Sequence, residues 1–185
     1  MEIFKKEMSD EEKQKILEMS EISLILDTYD DMFSSFDPRP YSQRALSEDF
    51  LSEAKRAARD KPSGQIELKL IMPANLRNLS KELVIKKRLK DHFIHHFNEE
   101  SKKLRHIKLE GLRWFGIGTI FILIATYLYE KEGFIFRLLQ IMAEPAGWFS
   151  FWEGLAKIFI TAKERAGNHH FYEKMSKAEV NFTSY

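Results

Sequence analysis

Four groups of residues have the types and spacing to do chemistry. Glu153 and Lys157 lie four apart in an otherwise apolar stretch, so on a helix they share one face. A charged side chain at mid-bilayer costs about 3 kcal/mol on insertion scales and is seldom turned toward lipid. The pair has two readings: mutual neutralisation within a helix pair, or the lining of a polar pathway between subunits. Gly147, Ser150, Gly154, Lys157 and Thr161 follow one another at helical spacing and are small or polar throughout, which puts Ser150 and Thr161 on the same candidate pore wall. The second group is FDPRPYSQR, residues 36–44, where Arg39 and Arg44 can grip an anion and Tyr41 offers a stacking face. Its alternative is a structural loop packed on a sheet.

The other two groups have plainer readings. His92, His95 and His96 stand at i, i+3 and i+4, a spacing able to hold a metal, but they sit among lysines, as in a solvated basic helix. Asp27, Asp30 and Asp31 can bind a hard cation through oxygen; the commoner role of such a cluster is to cap a turn and pair with Arg39 or Arg44. There is no glycine-rich phosphate loop, no G-x-S-x-G and no HExxH, and no cysteine for a disulfide or a thiolate metal site. No cofactor or catalytic group follows, and the chain is expected not to be an enzyme.

The elements that must position these groups begin with an apolar run. Residues 114–129 (WFGIGTIFILIATYLY) are 16 residues without a charge. At about 1.5 Å per residue they cover roughly 24 Å of a hydrocarbon core about 30 Å thick. Leu112 extends the run, Arg113 can snorkel, and Trp114, Tyr127 and Tyr129 suit the two interfaces. A core helix of a soluble protein would also be apolar all round. Residues 134–162 are too long for one straight span, and Glu144-Pro145 predicts a break: a short interfacial helix over 134–143, then a second span from Pro145. Gly111, Gly118 and Ala125 recur every seven residues and permit a neighbour's backbone to come close.

The flanks give an orientation. Residues 86–113 hold nine Lys or Arg against four acids, whereas the short loop 130–133 holds two acids and one Lys. The positive-inside rule puts both termini in the cytoplasm. The polar start of the chain predicts no cleavable signal peptide. Lys86, Lys87 and Arg88 can attract acidic headgroups. A net charge of +1 excludes a bulk polyanion binder, so any such role needs a local patch.

The remainder reads as a small soluble domain. A mostly solvated helix over residues 7–19 precedes a strand over 21–27, with continued helix as the rival reading. The Asp-, Ser- and Pro-rich residues 28–43 predict an ordered loop, and Ser47 an N-cap for a helix through Arg59 with Phe50, Leu51, Ala54, Ala57 and Ala58 inward. A turn over 61–64 leads to a strand over 65–72, in which Ile66, Leu68, Leu70 and Met72 alternate with Glu67, Lys69 and Ile71. A helix from near Ser80 meets no Pro or Gly before Gly111 and can run into the first span. Two strands are marginal alone, and the alternation of EVNFTSY (179–185) predicts a third returning to the sheet.

The segments FSSFDPRPYSQRALSEDFLSE (33–53) and AEPAGWFSFWEGL (143–155), with this layout, resemble a family of small bacterial two-pass membrane proteins, the channel subunits of the Hailong anti-phage system. The resemblance implies a homotetrameric inner-membrane ion channel held closed by an oligodeoxyadenylate that a partner nucleotidyltransferase makes. The expectation is a cytosolic α/β domain over 1–105, a two-helix transmembrane hairpin over 106–163, and a cytosolic tail over 164–185. In function it is a homo-oligomeric channel gated through the cytosolic domain, or else a non-conducting membrane anchor or scaffold for a partner enzyme.

Overall fold

The computed structural model describes residues 20–59 and 66–184; the expected helix over 7–19 and the turn over 61–64 lie outside them. The described chain divides into two units, one of residues up to Phe97 together with those from His170 onward, the other Asn98–His169.

In the first unit, β2 (Ile66–Met72) is the centre of a three-stranded parallel sheet, flanked by β1 (Ser20–Ile25) and β3 (Glu179–Ser184). Its alternation works as the residue types require: Ile66, Leu68, Leu70 and Met72 are buried, while Glu67, Lys69 and Ile71 stay partly exposed. The register sets Ile22 and Val180 on either side of Leu68, and Leu24 and Phe182 on either side of Leu70. Three helices cover the apolar face. In α1 (Glu48–Arg59) the buried residues are Phe50, Ala54 and Ala58, and in α2 (Leu79–Tyr129) they are Ile85, Leu89 and Phe93, each set at the four-residue interval of one helix face. Phe171 and Met175 of α4 (Ala162–Lys177) complete the cluster. Ser47 caps α1, accepting from the Phe50 N–H at 3.4 Å, and Asn78 caps α2, accepting from the Lys81 N–H at 3.1 Å.

In the second unit, α2 continues to Tyr129, and a turn ends at Gly133, whose φ of +122° suits only glycine before α3 (Phe134–Ala156) begins. A π-helical turn, Lys157–Thr161, joins α3 to α4.

Two expectations are corrected. The described residues are mostly helical, with only a small sheet, and hold one long apolar helix of 51 residues rather than a two-helix transmembrane hairpin. The reason lies in charge spacing. In α3 the longest uncharged run, residues 145–152, is bounded by Glu144 and Glu153, and its eight residues would cover only about 12 Å of bilayer. In α2 the apolar stretch is uninterrupted, and only 17% of its most apolar window is buried within the chain. The predicted break at Glu144-Pro145 is likewise absent: α3 runs through Pro145 as one helix. Proline forfeits one backbone bond, to the Ile141 carbonyl, and packing of the small residues beyond it against α2 keeps the helix continuous.

The sheet's closure by β3 is open to a direct test. Val180 and Phe182 are buried, and at about 2 kcal/mol each their removal withdraws roughly 4 kcal/mol from a domain whose typical stability is about 5–15 kcal/mol. Deleting residues 179–185 is expected to abolish a cooperative thermal transition of the sheet unit and to raise its protease sensitivity. An unchanged melt would show that β3 is dispensable.

Candidate functional site

The second unit's site is built by glycines. A Cβ on Gly118 would strike the backbone of Phe151, one on Gly154 the backbone of Phe115, and one on Gly147 would lie 3.0 Å from the Ile122 nitrogen. Rising numbers on α2 meet falling numbers on α3, so the two helices run antiparallel with backbones close enough that no side chain fits between them. The small residues the sequence places on one face of each helix thus face each other. Ser150 is buried in this seam at 6% exposure.

That register brings Lys157 to two carboxylates. Its Nζ lies 3.3 Å from Glu153 Oε1 and 3.3 Å from Glu110 Oε1, with all three side chains partly exposed. The first contact is the i,i+4 pair visible in the sequence. The second is not, although Glu110 adjoins Gly111, whose missing Cβ sits against Gly154 O and Ile158. A carboxylate next to a glycine stripe was the available signal. The cluster lies close to the start of the uncharged run at Trp114, about one turn before it, rather than halfway along it. Thr161 ends the π-helical turn and is exposed, whereas Ser150 is buried.

In the first unit the loop residues are engaged separately. Asp37 accepts from Arg39 Nε at 2.9 Å, from Arg39 Nη2 at 2.8 Å and from the Ala45 N–H at 2.7 Å. The Arg39 guanidinium, then the Ala45 amide, hold its carboxyl well below the usual carboxylate range. Arg44 donates through Nε to the Ser34 carbonyl at 3.0 Å and through Nη1 to Asp30 at 2.6 Å, and the Tyr41 hydroxyl donates to the same Asp30 oxygen at 3.2 Å. Tyr41 also packs its ring on Phe33. The three candidate ligand residues therefore form two self-contained groups, Arg39 with Asp37 and Arg44 with Tyr41 on Asp30. Asp31 caps the turn Tyr29–Met32, accepting from the Asp27 and Thr28 amides.

Sequence reasoning missed the best-ordered polar group of this unit. Glu82, 4% exposed, takes a bidentate pair of bonds from Arg77 at 2.9 and 3.0 Å and a third from the Tyr29 hydroxyl at 3.1 Å, which itself accepts from the Asn78 N–H. Arg77, then Tyr29, outweigh burial and lower the Glu82 pKa. Buried and saturated, the network ties the turn after β1 to the start of α2. Its members are scattered over 53 residues of sequence, which is why no local pattern announces it.

The histidines meet ring to ring. His92 lies tilted against His96 at 4.3 Å between ring centroids, His95 meets His96 edge-on at 5.5 Å, and His96 stacks on Tyr172 at 5.3 Å. Among the described residues no group of three metal-ligating side chains is assembled. The buried Nε2 of His92 has no hydrogen-bond partner, and burial, then the neighbouring His96 and Arg88, push its pKa down to about 4.

Comparison with family models, curated proteins and solved structures finds no match to the chain.

Two outcomes follow from these geometries. Because the folded His92 resists a proton that the unfolded residue accepts near its ordinary value of 6.5, stability is complete above pH 6.5 and declines as pH falls from there toward 4. Denaturant melts across that window are expected to show the decline, and His92→Gln to flatten it. In the seam, Gly154→Val is expected to force α2 and α3 apart. A disulfide trapped between cysteines placed at residues 115 and 151 of an otherwise cysteine-free chain reports that separation as lost cross-linking.

Proposed function

We propose that the chain is one subunit of a homo-oligomeric ion channel in a bacterial inner membrane, gated through its sheet domain and acting in anti-phage defence. The apolar stretch of α2 supplies the membrane-crossing element. Because β2 precedes α2 and β3 follows α4 in the same sheet, both chain ends belong on one side, and the basic residues ahead of Trp114 favour the cytoplasm. α3 packs antiparallel along α2 on the glycine seam.

The observation that carries this reading is the Glu110–Lys157–Glu153 cluster. Two carboxylates face one ammonium, so each copy keeps one negative charge at the edge of the apolar stretch, on side chains still partly exposed. Lipid does not shelter such a charge; water or a sister chain does. Several copies around an axis would set a ring of carboxylates at a pore mouth, the arrangement that favours cations. The resemblance on residues 33–53 and 143–155 supports a tetramer and an oligodeoxyadenylate ligand made by a partner nucleotidyltransferase. Such a ligand, if it used Arg39 or Arg44, would have to displace Asp37 or Asp30. A second reading, a non-conducting membrane anchor for a partner enzyme, is favoured by one fact: Lys157 finds both of its carboxylates within its own chain.

Reversal potentials across a salt gradient in reconstituted bilayers separate the two. A channel of this design is expected to prefer cations, to lose that preference in Glu110→Gln/Glu153→Gln, and to show a stronger one in Lys157→Gln. A folded oligomer that passes no current would support the anchor, and a strict monomer in detergent would exclude the channel.

A further inference from the structure

Within the second unit, a cleft of about 400 Å³ opens between α2 and α4, lined by Lys102, Lys103, His106, Ile107 and Arg165. Their arrangement is more specific than a solvated basic face. Lys102 and His106 are one helical turn apart on α2, as are Lys103 and Ile107, so two adjacent ridges form one wall. Arg165 supplies the other wall from a different helix. Glu100, 7% exposed, holds the two walls together: Lys103 Nζ lies 2.8 Å from its Oε1 and Arg165 Nη1 lies 3.7 Å from its Oε2. Against Glu100, the permanent cations Lys102, Lys103 and Arg165 leave two net positive charges at neutral pH; the other carboxylate nearby, Glu110, lies 4.0 Å from His106 Nδ1 and is shared with Lys157.

Position decides the ligand. His106 precedes Trp114 by eight residues, about 12 Å along the helix, which sets the cleft at the outer edge of a headgroup layer about 5–8 Å deep, within reach of long Lys and Arg side chains, when the apolar stretch is in a bilayer. Ile107 offers an apolar patch beside the charges, suited to the glycerol end of a lipid and of no use to a free ion. We infer that this cleft is a binding site for the phosphate headgroup of an anionic membrane lipid, with Lys102, Lys103 and Arg165 gripping the phosphate and Glu100 prearranging Lys103 and Arg165. The inference rests on α2 being in the membrane, but not on conduction.

Tryptophan quenching by brominated lipids in mixed vesicles of phosphatidylglycerol and phosphatidylcholine tests it on the full chain. Trp114 lies on α2 two to three turns beyond the cleft, and a Trp148→Phe/Trp152→Phe background leaves it as the reporter. The wild type is expected to prefer brominated phosphatidylglycerol, by roughly fivefold for each cation engaged. Lys102→Gln/Lys103→Gln/Arg165→Gln is expected to bring the preference close to one, while the charge-matched Lys86→Gln/Lys87→Gln/Lys163→Gln, outside the cleft, keeps it. Far-UV helicity confirms that both variants fold. Equal quenching by the two lipids in the wild type overturns the site, as does an equal loss in the charge-matched variant. A preference abolished by millimolar inorganic phosphate assigns the cleft to a free anion and overturns the lipid. Absence of quenching by either lipid overturns the membrane placement itself, and the site with it.

Discussion

The close approach of two backbones along the glycine seam determines what the second unit can do. Where a side chain larger than hydrogen stood at Gly118 or Gly154, α2 and α3 could not reach their present separation. The seam sets the register, and the register alone brings Glu110 opposite Lys157; no local sequence rule pairs residues so far apart. Partly exposed ion pairs contribute little to stability. The Glu110–Lys157–Glu153 cluster is therefore a consequence of the packing and not its cause. What it contributes is charge at a fixed height, next to the beginning of a stretch that contains none.

The first unit obeys a different constraint. A parallel sheet cannot be closed by tight turns, so each neighbouring strand must arrive after a crossover. The crossover from β1 to β2 is the ordinary one through α1. That from β2 to β3 takes in the whole of the second unit. Glu82, Arg77 and Tyr29 stiffen the start of this excursion, where a loosely held α2 would be free to fray. A saturated buried carboxylate of this kind suits a fixed joint, because losing any one partner would leave charge without compensation.

Much of this was legible in the residues, and the failures have physical reasons. The alternation of Ile66, Leu68, Leu70 and Met72, the caps at Ser47 and the third strand over 179–184 are local patterns of period two or of fixed offset, and each appears where its pattern puts it. The uninterrupted helix from the sheet domain through residues 114–129 was also readable, from the lack of Pro and Gly before Gly111. Pro145 misled, because propensity predicts a break that packing overrode. The second apolar arm misled for a related reason: tryptophan and phenylalanine gave it an apolar look, but Glu144 and Glu153 divide it too finely for a span. The ordered loop over 28–43 was readable, yet which carboxylate Arg39, Tyr41 and Arg44 would each meet depended on a fold around Phe33 and Leu46 that no spacing reveals. Glu110 and Glu100 were passed over because both look like ordinary members of a charged helix until the opposing helix is in place.

Those two carboxylates sort the basic stretch ahead of Trp114 into two kinds of site. Glu110 meets one lysine and leaves a surplus of negative charge together with Glu153, while three turns earlier Glu100 meets Lys103 and Arg165 and is outnumbered by cations. Ten residues separate the two on one helix, about 15 Å along its axis, so the sign of the local field reverses over less than twice the Debye length at physiological salt. An anionic headgroup is attracted to the Glu100 level and repelled from the Glu110 level; a cation is treated the other way round. A surface that separates the two ions by depth can be solvated by acidic lipid and still draw cations toward the start of the apolar stretch, which a uniformly basic collar could not do.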